Sequence, residues 1–280
     1  MQIFELLKNG SKKLKINKVN SHRIDSEILL SNVLNKKREN LLINLNQIVK
    51  FKKIKKYNKL ITRRSHKEPI SYILKEKEFW SKDYFVNKNV LIPRPETELM
   101  VEKIVKIFTN KNIYILDIGT GSGCILLSIL SELKGSKGIG IDISQKALKI
   151  ASKNQKKHKL SIRTKFFKRS LNQIFFKKFD LIVSNPPYIL SKDMKNLDED
   201  VRKFEPKIAL HGGNDGLDVI RKVIYKSSSI LKIKGLLALE IGNGQFKKVS
   251  KILIKNKFKI KYLIRDYQEN IRCILSILEK

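Results

Sequence analysis

From Asn112 onward, short apolar runs alternate with stretches of helical spacing. The runs Ile113–Asp117, Gly138–Asp142, Thr164–Phe167, Phe179–Ser184, Gly235–Ile241, Lys259–Ile264 and Ile271–Leu278 read as strands. Leu181 to Val183 is apolar at consecutive positions, as in a parallel strand covered on both faces. Between the runs, Ser122–Leu133, Ser144–His158, Gly216–Leu231 and Gln245–Asn256 are predicted helices. The alternation gives the fold class: α/β, a doubly wound seven-stranded sheet.

The chain before that point has a different pattern. Ile24, Ile28, Leu29 and Val33 recur at helical spacing, with Asn20 or Ser21 as N-cap. Ile48, Phe51, Ile54, Tyr57, Leu60 and Ile61 form a second apolar stripe in a Lys-rich segment. A small helical bundle over 1–75 is expected, serving docking more than chemistry. Around Ser81-Lys82-Asp83, flanking aromatics and Val predict a hairpin within a 76–92 linker. A helix is expected after it, started by Thr97 or by Arg94 with Pro95 at the first helical position. It opens the main domain, 93–280.

Composition narrows the function classes. At 280 residues and 41% apolar content, a large domain plus a small one can each bury a core. No apolar stretch is long enough for a membrane span. Met1-Gln2-Ile3-Phe4-Glu5-Leu6-Leu7 lacks the basic lead and cleavage site of a secretory leader, so a cytoplasmic protein is expected. Cys124 and Cys273 supply neither a disulfide framework nor metal spacing, and the four His have no ligand pattern, so no metal is expected. The net charge of +34 invites nucleic acid as a partner. The excess is diffuse Lys accompanied by Ile and Asn, with Arg in the minority, and is read as compositional drift. No stable nucleic-acid partner is expected.

Two motifs carry the chemistry. Asp117-Ile118-Gly119-Thr120-Gly121-Ser122-Gly123-Cys124 follows the first strand of the sheet and opens a helix. Cys124 stands where a dinucleotide fingerprint has its third Gly, and no Gly-Lys-Ser/Thr follows, so the loop is neither that fingerprint nor a P-loop. It suits an adenosyl ligand without phosphates, with Asp142 at the end of the next strand to accept the ribose hydroxyls. The second motif is Asn185-Pro186-Pro187-Tyr188, which ends another strand at the sheet edge where ligands bind. Its prolines offer carbonyls without N–H, and Asn185 adds a further acceptor. That combination suits a planar substrate carrying an NH2 group, with Tyr188 stacked on it. The bland alternative is a Pro turn with Tyr188 packed on the core.

With these two motifs go Glu68-Pro69-Ile70-Ser71-Tyr72-Ile73, Glu78-Phe79-Trp80, Ile92-Pro93-Arg94-Pro95-Glu96-Thr97-Glu98, Phe204-Glu205-Pro206 and Ala209-Leu210-His211-Gly212-Gly213-Asn214-Asp215-Gly216-Leu217. Together they resemble the peptide chain release factor glutamine methyltransferase family, over essentially the whole chain. The resemblance implies S-adenosyl-L-methionine as cofactor, leaving as S-adenosylhomocysteine, and N5-methylation of the glutamine in the Gly-Gly-Gln motif of class 1 release factors; a monomer is expected. It implies that Gly119, Thr120, Gly121, Ser122, Gly123 and Asp142 hold the cofactor, with Ser170 and Asn185 beside it. Asn185, Pro186, Pro187 and Tyr188 hold the substrate glutamine, and Asn185, Pro186 and Tyr188 are the catalytic set. Near Ser170 the family has an aromatic residue against adenine. Here the sequence is Lys168-Arg169-Ser170-Leu171, which passes the apolar wall to Leu171. The alternatives are a ribosomal-protein glutamine methyltransferase and a nucleic-acid adenine methyltransferase.

Several residues carry a structural expectation beside a chemical one. Cys124 is expected to pack the helix on the sheet rather than to react. Arg94, Glu96 and Glu98 either close over the cofactor or cap a helix. Asp198, Glu199, Asp200 and Glu205 are expected to be a solvated mobile segment, and His211 to Gly216 a flexible turn.

Overall fold

The computed structural model describes residues 1–174 and 179–279. The chain divides into two compact units. One comprises Met1–Glu76 with Asp198–Phe204, the other Lys77–Leu197 with Glu205–Lys280.

The first unit holds α1 (Ile3–Ile16), α2 (His22–Leu34), α3 (Arg38–Ile43), α4 (Phe51–Ser65) and α5 (Ile70–Leu74). Ile3, Leu6, Leu14, Leu29, Leu30, Val33, Tyr57 and Ile61 form its core. The expected stripes are displaced: Ile24, Ile48 and Phe51 are 49%, 75% and 80% exposed. Burial follows the helix-helix seam, where Leu30 joins Leu29 and Val33, and this seam is rotated from the widest apolar stripe. Arg64 Nε lies 2.6 Å from Asp25 Oδ2 inside the unit, and Ser21 Oγ donates to the same oxygen instead of capping α2.

The second unit begins with a hairpin, β1 (Glu76–Phe79) and β2 (Lys82–Phe85). Its two turn residues are Trp80 and Ser81, at φ +54° and +52°. The turn lies earlier than the polar Ser-Lys-Asp stretch suggested, because Lys82 and Asp83 are already in the strand. Then come α6 (Pro95–Phe108), β3 (Tyr114–Ile118), α7 (Cys124–Glu132), β4 (Lys137–Asp142), α8 (Gln145–Lys157), β5 (Thr164–Lys168) and β6 (Phe179–Ser184). Arg94 is the N-cap of α6 and Pro95 its first residue, as the sequence indicates. After the short α9 (Glu199–Phe204), which belongs to the first unit, the second continues through α10 (Asp218–Ile230), β7 (Leu231–Glu240), α11 (Phe246–Lys255), β8 (Phe258–Arg265) and β9 (Ile271–Leu278).

The seven strands lie in the order β5-β4-β3-β6-β7-β9-β8. Pairings are parallel except at β9, which runs antiparallel to both of its neighbours. Successive residues of each strand serve opposite faces. Ile115, Leu181, Val183 and Ala238 pack with α6 and α7, whereas Leu116, Ile182, Leu237 and Leu239 pack with α10 and α11. Both faces are therefore covered, which is why the central strands are apolar at consecutive positions. The chain winds outward from β3 to β5, then returns to β6 on the other side of β3. The carboxyl ends of β3 and β6 thus flank the topological switch point, where open α/β sheets bind ligands.

Candidate active site

A cavity of about 450 Å³ opens at that switch point. Its lining includes the loop after β3 (Gly119–Ser122), the end of β4 (Asp142–Ser144), the loop after β5 (Arg169–Asn172), the loop after β6 (Asn185–Pro187) and Pro206. All eleven residues expected at the site fall here except Gly123, which caps α7 beneath it, and Tyr188.

The glycine loop is shaped by φ. Gly119, Gly121 and Gly123 stand at +73°, +56° and +81°, the left-handed region that costs an L-residue about 1–2 kcal/mol. A Cβ on Gly119 would meet nothing within 4 Å, so its backbone faces open space. The loop is also pinned. The amides of Gly119 and Thr120 both donate to the Ile141 carbonyl, at 2.9 and 3.0 Å. From below, the buried Asn154 donates to Ser122 O at 2.8 Å, and its side chain also pairs with the Phe85 backbone. Asn154 went unnoticed in the sequence because it looks like one more polar residue in a Lys-rich helix.

Asp142 sits across from the loop. Its Oδ2 accepts Gly121 N–H at 3.0 Å and its Oδ1 accepts Ser144 N–H at 2.8 Å. Each oxygen keeps a lone pair for a diol. Burial raises its pKa against the opposing backbone bonds. Beneath it, the fully buried Asp117 takes the Thr120 hydroxyl at 2.6 Å, while its Oδ1 lacks a hydrogen bond of ordinary geometry. Burial pushes the Asp117 carboxyl up to about 7, opposed by Thr120 and assisted by the Asp142 charge. Cys124 is buried, and its thiol is pushed up to about 12, which fits a packing role.

Two apolar side chains complete this end. Ile143 lines the cavity while 52% exposed, and Leu171 lines it from the β5 side. Ser170 lies beside them as the cap of a short 3-10 turn, Leu171–Gln173. A left-handed glycine loop, a carboxylate with spare acceptors and two apolar walls fit an adenosyl group. Sequence reading missed Ile143, whose only signal is its position directly after Asp142.

At the other end, among the described residues, the Asn185 carboxamide makes no hydrogen bond, nor does the Pro186 carbonyl. Two acceptors and a pair of donors are thus left free in the cavity wall. Tyr188 is placed otherwise than expected. Its ring packs against the core on the α10 side, and its hydroxyl reaches Glu240 Oε1 at 3.4 Å. Burial, reinforced by the Glu240 carboxylate, raises the phenol pKa. The ring is half-buried and lies outside the cavity lining, which is the packed placement the sequence offered as its alternative. Glu240 is itself buried, accepts the Thr97 hydroxyl at 2.6 Å and has a raised pKa from desolvation.

Two further expectations are corrected. Glu205 is buried and accepts from Arg94 Nη2 at 2.7 Å and from the Ile92 amide, so it is no part of a solvated segment. Arg94 and Pro206 both line the cavity, so this ion pair joins two parts of its rim. His211 to Gly216 is no loose turn either. Ile189 N donates to Leu210 O at 3.0 Å, Gly212 N to Ile189 O at 2.8 Å, and Ser191 N to Gly213 O at 3.0 Å. A Cβ on Gly212 would stand 2.8 Å from both Pro187 O and Tyr188 Cα, so only glycine lets the two loops meet.

Among the described residues, no His/Cys/Asp/Glu group could hold a metal ion, and no helix is long and apolar enough to cross a membrane.

Comparison with known proteins bears on the family and the fold. The PrmC N-terminal domain family model matches residues 5–74, and the Methyltransferase small domain model matches 95–201. The chain is 42% identical to the release factor glutamine methyltransferase of Buchnera aphidicola subsp. Baizongia pistaciae, covering 97% of this chain and 98% of that one. It is 36% identical to the bifunctional methyltransferase of Rickettsia prowazekii, covering 97% of this chain. The chain spans about half, 56%, of that longer relative. A solved methyltransferase from Pyrococcus furiosus superposes with a TM-score of 0.54 at 16% identity, covering 71% of this chain and 89% of that one, which shows the shared fold.

Proposed function

The chain belongs to the release factor glutamine methyltransferase family, and we propose that it methylates the side-chain amide nitrogen of the Gly-Gly-Gln glutamine in class 1 release factors. The observation that carries this reading is the free pair of acceptors at Asn185 and Pro186, set in the same cavity as the glycine loop and Asp142. Bound S-adenosyl-L-methionine supplies a methyl group already activated on a sulfonium sulfur.

The chain's task is the nucleophile. An amide nitrogen's lone pair is delocalised into its carbonyl. Asn185 Oδ1 and the Pro186 carbonyl accept the two N–H bonds of the substrate carboxamide and turn its nitrogen toward the cofactor end of the cavity. Orientation of this kind contributes on the order of 7–11 kcal/mol. The same two carbonyl dipoles stabilise positive charge developing on nitrogen, the converse of an oxyanion hole. Neither proline brings an N–H that would compete for those acceptors. Asn185 also provides an NH2 that can hold the substrate's own carbonyl. A general base is not needed in this scheme, since the proton leaves after transfer. Tyr188 acts from behind, anchoring the loop through the core and Glu240.

In this reading the helical unit presents the docking surface, the catalytic unit works as a monomer because one chain provides all the site residues, and both operate in the cytoplasm, where free buried thiols such as Cys124 and Cys273 are at home. The test is transfer of label from adenosylmethionine to purified release factor, ribosomal proteins, DNA or rRNA. Label in the Gly-Gly-Gln peptide is expected. Label confined to a ribosomal protein or to adenine overturns the assignment.

A further inference from the structure

We propose that Gln245 is the positioning residue that holds the substrate loop in register. It is 6% exposed and stands at the N-cap of α11, outside the cavity lining. Its carboxamide joins three loops at the carboxyl edge of the sheet. Oε1 accepts the Gly242 amide at 2.9 Å, after β7. Nε2 donates to the Tyr188 carbonyl at 3.0 Å, after β6, and to the Gly216 carbonyl at 3.4 Å, before α10. One acceptor site and both NH2 hydrogens are used, which matches the inventory of a primary amide.

The consequence for Asn185 follows from connectivity. Asn185-Pro186-Pro187 leaves β6 and is fixed at its near end by the Ser184 hydroxyl bond to Ile118 O. Its far end is Tyr188, whose carbonyl is the atom Gln245 holds. The prolines between supply stiffness but no donors. Beyond Tyr188 the loop is laced to the 210–213 segment through the Ile189 and Ser191 amides. That segment folds back onto Gln245 at Gly216. Gln245 therefore closes a ring of hydrogen bonds around the stretch that presents the two acceptors. Glutamate has the same shape but no donors, so it cannot close that ring. A displacement of about 1 Å in a positioning group costs on the order of 10²-fold in rate. This inference rests on the proposed role of Asn185 and Pro186, and its test separates the two.

The chain is compared with Gln245→Leu, Gln245→Glu and Gly212→Ala, whose new Cβ would press on Gly216 O at 2.7 Å and on Pro187 O and Tyr188 Cα at 2.8 Å. Backbone hydrogen exchange in peptides covering 185–191 and 210–216 is expected to rise at least tenfold in all three variants, while exchange over 114–123 stays at the wild-type rate. Turnover on release factor is expected to fall on the order of 10²-fold, with adenosylmethionine Kd within about threefold of wild type, because the glycine loop and Asp142 share no bond with Gln245. Exchange over 185–191 unchanged in Gln245→Leu and Gln245→Glu overturns the proposal. So does a parallel loss of turnover and cofactor affinity, which would mark general loosening. If the wild-type chain methylates no release factor yet loop exchange rises as described, the substrate assignment fails and the clamp stands. If Gln245→Leu does not fold, Gln245→Glu and Gly212→Ala decide by the same readings.

Discussion

The Ser184 hydroxyl donates to the Ile118 carbonyl at 2.8 Å, and the two residues are register partners at the last position of β6 and β3. This buried bond thus reinforces, at its last position, the backbone ladder that spaces the loop after β6 from the loop after β3. Ser184→Ala should cost about 1 kcal/mol in stability. Unlike a change within either loop, it should weaken cofactor affinity and turnover together. Thermal denaturation, calorimetry with adenosylmethionine and steady-state kinetics check the three parts.

Asn185→Ala should behave differently. It removes one acceptor aimed at the substrate and touches no bond that shapes the glycine loop. Turnover should fall roughly 10²–10³-fold with adenosylmethionine Kd nearly unchanged. Near wild-type turnover in a folded variant would refute the role.

Gly123→Ala tests the loop itself. The position is at φ +81°, and the new Cβ would sit 3.1 Å from Leu127 Cδ1 and 3.3 Å from Phe166 Cζ. The left-handed conformation alone costs about 1–2 kcal/mol. A lower melting temperature and weaker adenosylmethionine binding are expected, measured with the release factor omitted.

Asp117 should leave a mark on the pH dependence of stability. Its folded pKa is raised from 3.8 to about 7, with burial the main cause. The folded carboxyl therefore keeps its proton where the unfolded one has released it. Stability from this group is fully present below the ordinary carboxylate pKa and is lost as pH rises through about 7. Asp142 and Glu240 are shifted in the same direction, so the informative quantity is a difference. Urea denaturation across pH 4 to 8 should show a shallower decline for Asp117→Asn than for the wild-type chain.

The Arg94–Glu205 pair makes a fifth test. Glu205 has a side-chain exposure of 1%, against 31% for Arg94. Arg94→Ala would remove the ion partner of a buried carboxylate that keeps its bond from the Ile92 amide, at a cost of about 3 kcal/mol. Arg94→Met with Glu205→Leu should recover much of that stability, as read from chemical denaturation midpoints.

The sheet was legible because its strands are apolar runs between turn signals, and the helices because their spacing is regular. The two site motifs were legible because glycine and proline dictate backbone shape locally. What stayed hidden depends on partners far away in sequence. Glu205 looked solvated because Arg94, which neutralises it, lies 111 residues earlier. Tyr188 looked like a wall of the pocket because its alternative partner, Glu240, belongs to another strand. Gly212 looked like slack because the backbone it must clear is that of Pro187 and Tyr188. In the helical unit, Phe51 and Ile48 satisfied the apolar pattern, but the seam between helices settled on Tyr57 and Ile61. Spacing says that a stripe exists without saying which part of it meets a neighbour.

The antiparallel β9 has a consequence for how the molecule reaches this state. It fills the slot between β7 and β8, so β8, though earlier in the chain, has nothing to pair with until β9 arrives. Until then the outer edge of β7, with Leu236, Leu237 and Leu239, stays open to any other strand. Self-association during refolding should therefore begin at that unfilled slot, and a short peptide copying Ile271–Leu278 should compete for it.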